Sequence, residues 1–583
     1  MTQENQITSA HAWIRRAWCV RTALGLLILG FFSNLLFLYH HCPFDLSEDE
    51  SQYWLWSRHL AWGYYSKGPG IAAIIYAATS VGHWFGQHAT MPIIRTPAII
   101  FAFFSGLASF FLARRMFRDD RAGLMVIALS AGVPVFAVGS LIITIDSPMY
   151  LCWAWACVCL WLAVEPKYSD SGEFLSQQPP RAGAGWLYLA GLLVGLGILC
   201  KPVLLLIPPS AAIAAFWNPY LRRKLATWHS LGATVLALAL QIPTLIWNAQ
   251  HNWIMFRAIG GEGGLRGAKG VWWHLSHAPL NVTMFILSQA GIFAGVLFVL
   301  LVLAFIEAMR DVRKIKDPLG RATWDFLLWM TLPIFIMYFL LSFWSKVEPN
   351  WPAGGYFTGM VLFAGVATRW WNQPLPKRKA ARRWIVGGIV WGFALFVFAE
   401  NVQLLYPVLA KIDPTGKHFP AKRFDPAFRL HALKVRGQAI EKIRLSMWSG
   451  HGPLPFVMDD RWDTSSSLCY YLPGHPFVFC LQTAMGGKHC QFDLWPGPNQ
   501  INPRTGKLRY LGQNAVLTGS FSPQVFDRLI KPAFGHVSKM FVVPLYYYGV
   551  VVKHLDVWKC YDFKGMPGVK NPQNWSSAST NPW

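Results

Sequence analysis

Long apolar runs separated by short polar segments fill the chain up to residue 402. The first run, residues 22–40, is long enough to cross a bilayer, follows Arg15, Arg16 and Arg21, and has no small-residue cleavage site after it. It therefore predicts an uncleaved first membrane helix with a cytoplasmic N-terminus. With it, the later runs predict about eleven transmembrane helices. The later runs lie near residues 95–113, 122–140, 148–164, 185–200, 202–218, 229–247, 281–306, 322–343, 353–369 and 383–402.

The basic residues between the runs predict the topology. Alternating the predicted spans across the membrane sends the basic segments 114–121, 221–224, 310–316 and 377–383 to one side. An excess of Lys and Arg marks the cytoplasmic side of a membrane protein, so this agreement supports the alternation. The other, outer side then receives the C-terminal tail and four loops, which are residues 41–94, 141–147, 248–280 and 344–352.

Composition agrees with a membrane protein. Hydrophobic residues make up 54% of the chain and charged residues only 14%, while the formal net charge is +24. The basic residues lie in short runs between apolar segments rather than on one polar face, which is the topology pattern and argues against a nucleic-acid partner. Membrane lipids are the partners that this composition predicts.

The tail, residues 404–583, differs from the rest because the spans stop and short apolar runs alternate with turn residues. We predict a transmembrane domain over residues 1–403 and a separate extracytoplasmic α/β domain over residues 404–583. An oxidising compartment would permit disulfides in the tail, but the sequence leaves their pairing open and shows no metal-ligand spacing. The tail cysteines are Cys469, Cys480, Cys490 and Cys560.

Two outer loops each place an Asp at the head of an apolar helix. In the first, Ser47 and Glu50 fit a helix-capping box, an explanation that covers Glu50 but leaves Asp49 unexplained. In the second, Asp146 precedes a proline, and capping of the next helix is an equally good explanation of its presence. Acids at membrane depth are costly and tend to be functional, so we predict that Asp49 and Asp146 carry chemistry.

Cations lie on the same predicted side. Lys67 lies in a Gly-Pro-Gly turn, which suits an ammonium group presented to an anion, and Arg95 opens the next span. Lys201 lies at a helix end, where snorkelling toward the membrane surface is the ordinary explanation. Carboxylates and fixed cations together suit removal of a proton from a hydroxyl while a phosphate leaving group is stabilised.

Five stretches, in this order along the chain, resemble a known family. They are EDESQYW, YYSKGPG, TIDSPMYLCWA, GLGILCKPVLLLIP and VEPNWPA. The chain is similar to family 39 glycosyltransferases of the GT-C fold, in particular to bacterial members related to protein O-mannosyltransferases and to lipid A aminoarabinose transferases. The resemblance implies a mainly α, multi-pass GT-C fold in the bacterial cytoplasmic (inner) membrane.

The resemblance also implies an activity, which is transfer of a hexosyl or pentosyl group from a polyprenyl-phosphate donor to an acceptor hydroxyl on the outer side, with inversion. By position, Asp49 matches the proposed general base and Asp146 matches the acid of the second loop. Lys67 matches a lysine that contacts donor phosphate. We predict Arg95 and Lys201 as further phosphate-binding residues. Three residues are predicted to support the site: Glu50, Tyr65 and Glu348.

Ser66 departs from the pattern of the family, whose members usually have an acid before the His or Lys of this turn. The lost carboxylate could have bound a divalent cation, so the sequence predicts no certain cofactor and leaves dependence on a divalent cation open. The loop 248–280, with His251, Glu262 and Arg266, is either a gate or acceptor channel or an ordinary connector. Sugar and acceptor stay open, since the acceptor can be a lipid, protein or glycan. The alternative function is a non-catalytic binder or transporter of lipid-linked sugars.

Overall fold

The computed structural model describes residues 16–87, 89–166, 181–262 and 271–569. Arg266 and residues 167–180 lie outside these ranges. The chain divides into two compact units, described separately below. The helical unit comprises Met1–His41, Lys67–Ile71 and Arg95–Val397, and the strand-containing unit comprises Cys42–Ser66, Ala72–Ile94 and Phe398–Trp583.

Apolar α-helices build the helical unit, as the hydrophobic runs predict. Two of its helices extend past the boundaries of the unit, Met91–Phe117 at its start and Lys377–Glu400 at its end. The helices are Ala17–Leu36, Met91–Phe117, Asp120–Ala131, Pro134–Gly139, Asp146–Val164, Arg181–Ile198, Ile207–Trp217, Pro219–Leu225, Trp228–Ala239, Ile242–Gln250, Ile254–Glu262, Val271–Ile292, Val296–Lys314, Pro318–Ser342, Ala353–Trp371 and Lys377–Glu400.

Six helical segments in the described ranges are long and apolar enough to cross a membrane, or seven if one bent pair counts as a single span. The sequence predicts about eleven. The difference arises because several predicted runs are interrupted: the run 122–140 breaks before Pro134, and the run 281–306 bends by 105° where Gly295 has φ +64°. Others form shorter apolar helices, such as Gly183–Ile198. The protein is nonetheless a mainly helical, multi-pass membrane protein.

Small residues allow close helix packing at the centre of the helical unit. The helix Ala353–Trp371 is buried along nearly its whole length. A methyl group on Gly354 would lie 2.9 Å from the ring of Trp153, and one on Gly365 would lie 2.1 Å from the ring of Phe117. Membrane helices pack through such small residues because burial from lipid supplies little hydrophobic driving force. This packing fixes the helix that follows Asn350.

A six-stranded sheet forms the core of the strand-containing unit. The strands are β1 (Phe456–Asp459), β2 (Val478–Cys480), β3 (Ala515–Thr518), β4 (Phe534–Val537), β5 (Phe541–Tyr547) and β6 (Val550–Phe563). The helices of this unit are Glu48–Ser57, Gly70–Trp84 from Ala72 onward, Tyr406–Ile412, Leu433–Ser446, Trp462–Tyr471 and Pro523–Val525.

The strand order is β2-β1-β3-β6-β4, with β5 paired to β6. Strands β2, β1 and β3 are parallel, and β4, β5 and β3 pair with β6 in antiparallel fashion. After β1, the helix Trp462–Tyr471 leads to β2 on one side, and the chain then crosses to β3 on the other side. The predicted α/β character of the tail is confirmed. Because the chain continues from β1 to β2 on one side and then to β3 on the other, a topological switch point lies between β1 and β3.

Candidate functional site

The carboxylate of Asp146 is held by two side chains from distant parts of the helical unit. Lys201 Nζ lies 2.5 Å from Asp146 Oδ1, and Asn350 Nδ2 donates to Asp146 Oδ2 at 2.6 Å. Asp146 is the first residue of the helix Asp146–Val164, but the N-cap, Ile145, makes no side-chain cap bond. The Asp146 carboxylate therefore binds the side chains of Lys201 and Asn350.

Lys201 does not snorkel in this structure. It precedes the short 3₁₀ helix Pro202–Leu206 in extended conformation and is 8% exposed, the same exposure as Asp146. Its ammonium group also approaches the carbonyl oxygen of Asn350 at 3.5 Å. Desolvation of two charges is costly unless further hydrogen bonds satisfy them, and Asn350 supplies these to both partners. The three residues, called here the Asp146 cluster, form one buried polar unit.

Asn350 is the member of the cluster to which the sequence assigned no individual role. Its loop is anchored through Gln289, whose amide donates to the carbonyl of Pro349 at 3.2 Å and accepts from Tyr356 Oη at 2.7 Å. Glu348 in the same loop pairs with Lys346 at 3.1 Å, and its side chain is half exposed. Glu348 thus lies outside the Asp146 cluster. The sequence indicated Asn350 only as an amide side chain in a predicted outer loop.

The Lys67 turn packs against the segment that leads into Lys201. Gly70 N donates to the carbonyl oxygen of Leu199 at 3.0 Å. A methyl group on Gly68 would lie 2.3 Å from the same oxygen, and one on Gly70 would lie 2.3 Å from Cys200 Sγ. Only glycine permits this approach, so the two glycines place the backbone of Lys67 beside the turn that follows the helix Arg181–Ile198 and leads into Lys201. Arg95, also in the helical unit, is buried with 1% exposure.

In the strand-containing unit the acids of the first outer loop have separate surroundings. Ser47 and Glu50 form the predicted capping box, with Glu50 Oε2 accepting from Ser47 N at 2.9 Å and Ser47 Oγ accepting from Glu50 N at 3.1 Å. Glu50 is fully buried, whereas Asp49 in the same helical turn is exposed. Tyr65 is anchored by its backbone N–H, which donates to Gln491 Oε1 at 2.7 Å. Glu50 therefore forms the capping contact at the start of this helix.

The described residues contain no group of three or more His, Cys, Asp or Glu side chains arranged to hold a metal ion. Asp146, Lys201 and the Lys67 turn come together within the helical unit, while Asp49, Glu50 and Tyr65 belong to the strand-containing unit. The helical unit therefore holds the Lys201 ammonium group in a position fixed by the Asp146 carboxylate. The turn that carries Lys67 lies next to it.

Comparison with known proteins supports the sequence resemblance. A family model described as dolichyl-phosphate-mannose-protein mannosyltransferase matches residues 66–247, a range that includes Lys67, Asp146 and Lys201. The lipid A galacturonosyltransferase RgtD of Rhizobium johnstonii is 25% identical over 354 residues, which are 60% of this chain and 66% of that protein. The lipopolysaccharide core galacturonosyltransferase RgtA of the same organism is 27% identical over 261 residues, 43% of this chain and 48% of that protein.

The solved structure of ArnT from Cupriavidus metallidurans bound to undecaprenyl phosphate has a similar fold, with a TM-score of 0.56 and 15% identity over 93% of this chain and 98% of that chain. The match thus spans almost the whole ArnT chain. It spans about two-thirds of the length of RgtD and about half of the length of RgtA. The predicted GT-C fold and the resemblance to aminoarabinose and protein O-mannosyltransferases are confirmed.

Proposed function

From the GT-C fold and the likeness to glycosyltransferases, we propose that this protein transfers a sugar from a polyprenyl-phosphate donor to an acceptor hydroxyl at the outer face of the cytoplasmic membrane. The observation that carries the proposal is the buried Asp146 cluster beside the Lys67 turn. A membrane protein that needed only a scaffold would gain nothing from burying an ion pair at a helix head, because desolvation offsets its attraction.

The lysines supply the leaving-group side of the proposed reaction. Lys67 holds the lipid phosphate by a charge-assisted contact, and Lys201 adds positive charge from a position set by Asp146 and Asn350. Asp146 acts here as a positioning residue, since its two carboxylate oxygens already accept from Lys201 and Asn350. Arg95 is the further cation we assign to the phosphate.

Asp49 supplies the acceptor side. In one displacement step, the acceptor hydroxyl oxygen attacks the anomeric carbon while the bond from that carbon to the phosphate oxygen breaks. The hydroxyl proton passes to the Asp49 carboxylate, and the lipid phosphate leaves with the bonding electrons, which inverts the anomeric centre. Exposure of Asp49 supports this role, because a base must be reached by an incoming acceptor.

The relatives suggest the first substrates to test. Because RgtD and RgtA carry the names of lipid A and core galacturonosyltransferases, we take a polyprenyl-phosphate hexuronic acid as the first donor and lipopolysaccharide as the first acceptor. No metal enters the step, and Ser66 in place of an acid supports this choice.

The test is transfer of radiolabelled sugar from a mixture of polyprenyl-phosphate sugars to a crude envelope extract, with and without chelator. We expect wild type and Asp527→Asn, an exposed Asp paired with Lys531, to label an acceptor equally. Asp49→Asn should lose at least 100-fold in rate, the lower end for a general base. Donor binding without transfer by wild type would favour the binder or transporter, and loss of transfer in chelator would show a metal requirement.

A further inference from the structure

A cavity of about 430 Å³ lies within the strand-containing unit, at the carboxyl ends of the parallel strands β1 and β3. Asp460, Arg461 and Asp463 line it directly after β1, and Gly519 and Ser520 line it directly after β3. In open sheets with parallel strands, ligands bind outside the carboxyl ends of the strands where strand order reverses. This cavity occupies that position, and its volume falls in the range of small-molecule sites, about 300–1,000 Å³.

The end of β1 is built as a tight polar network. Asp460 Oδ2 accepts from Ser520 N at 2.9 Å, and a methyl group on Gly519, which has φ +126°, would lie 2.3 Å from the Asp460 carboxyl carbon. Glycine at 519 therefore allows the two strand ends to approach each other. Asp459, the last residue of β1, is fully buried, and burial raises the pKa of its carboxyl to about 7. A nearby cation, Arg436, pairs with it.

Arg436 leaves hydrogen-bonding capacity unused next to the cavity. It is 3% exposed and lines the cavity, and its Nε has no hydrogen-bond partner among the described residues. An unsatisfied buried donor is costly, so an acceptor bound in the cavity would stabilise Arg436 once its side chain turns the buried Nε toward that acceptor. Burial, followed by the like charge of Arg436, lowers the pKa of Lys553, which lines the same cavity.

Acceptors face these donors. Glu48, at the first turn of the helix Glu48–Ser57, lines the cavity, and burial raises its carboxyl pKa, with Asp463 adding to the effect. Besides the histidines His431 and His554, four Lys or Arg side chains and four Asp or Glu side chains line the cavity. They are Arg429, Arg436, Arg461 and Lys553, and Glu48, Asp460, Asp463 and Asp556. A simple anion would face four carboxylates, whereas sugar hydroxyls both donate and accept and so match both sets.

We propose that this cavity binds a sugar residue of the acceptor, with Lys553 and Arg436 donating to its oxygens and Glu48 accepting from its hydroxyls. The inference rests on the proposed function, because Glu48 is the immediate neighbour of Asp49 in the same helical turn. Asp49 itself does not line the cavity, so the cavity holds a neighbouring part of the acceptor rather than the reacting hydroxyl. The cavity thereby makes a glycan the acceptor class.

Binding is measured first and without transfer. The full-length protein in lipid nanodiscs is titrated with the fluorescently labelled, water-soluble oligosaccharide released from lipopolysaccharide by mild acid. We expect saturable binding by wild type, by Asp49→Asn and by the exposed control Lys539→Gln. Lys553→Gln and the isosteric Glu48→Gln should each bind about tenfold more weakly, which corresponds to about 1.4 kcal/mol. Equal affinity in all variants, or no saturable binding by wild type, overturns the inference.

Transfer kinetics separate this inference from the proposed function. Lys553→Gln should raise the KM for the acceptor about tenfold and leave the KM for the polyprenyl-phosphate donor unchanged. A wild type that binds the oligosaccharide but transfers no sugar would refute the proposed function and keep the cavity assignment. A Lys553→Gln variant that transfers sugar with an unchanged acceptor KM would refute the cavity assignment and keep the proposed function. Unfolding temperatures equal to wild type confirm that the variants are folded.

Discussion

Lys201 Nζ and Asp146 Oδ1 lie 2.5 Å apart, and both residues are 8% exposed. The two residues open different apolar segments, so each alone would bring an uncompensated charge into the helical unit. Asn350 adds a hydrogen bond to the second carboxylate oxygen. The pair therefore fixes one lysine beside the turn that carries another, and the arrangement depends on all three partners.

We predict that breaking this pair from one side costs more than removing both charges. Asp146→Asn or Lys201→Met alone should lower the free energy of unfolding by about 3–5 kcal/mol, because the remaining charge stays buried without its partner. The double variant leaves no unpaired buried charge, so it should lose less free energy of unfolding than either single variant. Urea unfolding of the protein in nanodiscs measures these differences.

A control for this cycle is the exposed pair Lys531–Asp527, with atoms 2.6 Å apart and both side chains more than 60% exposed. Its single variants should change the free energy of unfolding by less than about 1 kcal/mol. Additive losses for Asp146→Asn and Lys201→Met would contradict the structure, since they would mean that the two charges do not interact.

A second prediction concerns the Lys67 turn. Gly68→Ala places a methyl group 2.3 Å from the carbonyl oxygen of Leu199, a backbone atom that has little freedom to move. The turn must shift, so we expect the KM for the polyprenyl-phosphate donor to rise at least tenfold with the fold intact. Gly25→Ala is the matched control, because nothing lies within 4 Å of its added methyl group. A normal donor KM in Gly68→Ala would show that the turn does not position Lys67.

Local sequence predicted the features that depend on local structure. The capping box of Ser47 and Glu50 needs only residues three apart, and the structure contains it. The partners of Asp146 lie 55 and 204 residues away, and no pattern of one chain indicates such distances. Capping was therefore an equally good explanation of Asp146 before the fold was known, and Asn350 had no assigned role.

Helix number and the cavity show the same limit. Hydrophobic runs identify apolar segments, but whether a run crosses as one helix depends on breaks such as Pro134 and on bends such as that at Gly295. The cavity depends on the order of strands in a sheet, because residues after β1 and β3 meet only once β2 lies on the far side of β1. Strand order is a tertiary property that short apolar runs do not contain.

A third prediction concerns pH. Burial, with a smaller contribution from the charge of Arg58, lowers the pKa of His59 to about 4 from its ordinary value of 6.5. Above pH 6.5 the imidazole is neutral in both the folded and the unfolded protein, so His59 does not lower the free energy of unfolding in this range. Between pH 6.5 and 4 only the unfolded chain gains the proton, so the free energy of unfolding falls as pH falls.

The unfolding temperature between pH 7.5 and 4 tests this assignment. His59→Gln should flatten the decrease that wild type shows below pH 6.5, because the titrating group is gone. The exposed His451→Gln should keep the wild-type decrease. If His59→Gln and wild type lose stability in parallel, another group accounts for the acid sensitivity.

The fourth prediction concerns two cysteines, Cys480 and Cys490, whose thiols interact closely enough for one to shift the pKa of the other. Cys480 ends β2 and Cys490 precedes the 3₁₀ helix Gln491–Leu494. The loop between them is closed by a hydrogen bond of 2.8 Å from Gln482 Nε2 to the carbonyl of Lys488. The contact with Cys490, followed by burial, raises the pKa of the Cys480 thiol well above its ordinary value.

Because the thiolate is the reactive form, we expect this pair to oxidise slowly in air and rapidly with copper phenanthroline. Mass spectrometry of unreduced tryptic peptides should then show one linkage, Cys480 to Cys490, because Cys480 is partly exposed. Cys469 and Cys560 should stay reduced, since neither has any exposed surface. Closing so short a loop should raise the free energy of unfolding by about 2–3 kcal/mol in the chain-entropy estimate. Cys490→Ser should remove both the linkage and this gain. A different linkage, or a linkage without stabilisation, would show that Cys480 and Cys490 are not placed to join without strain.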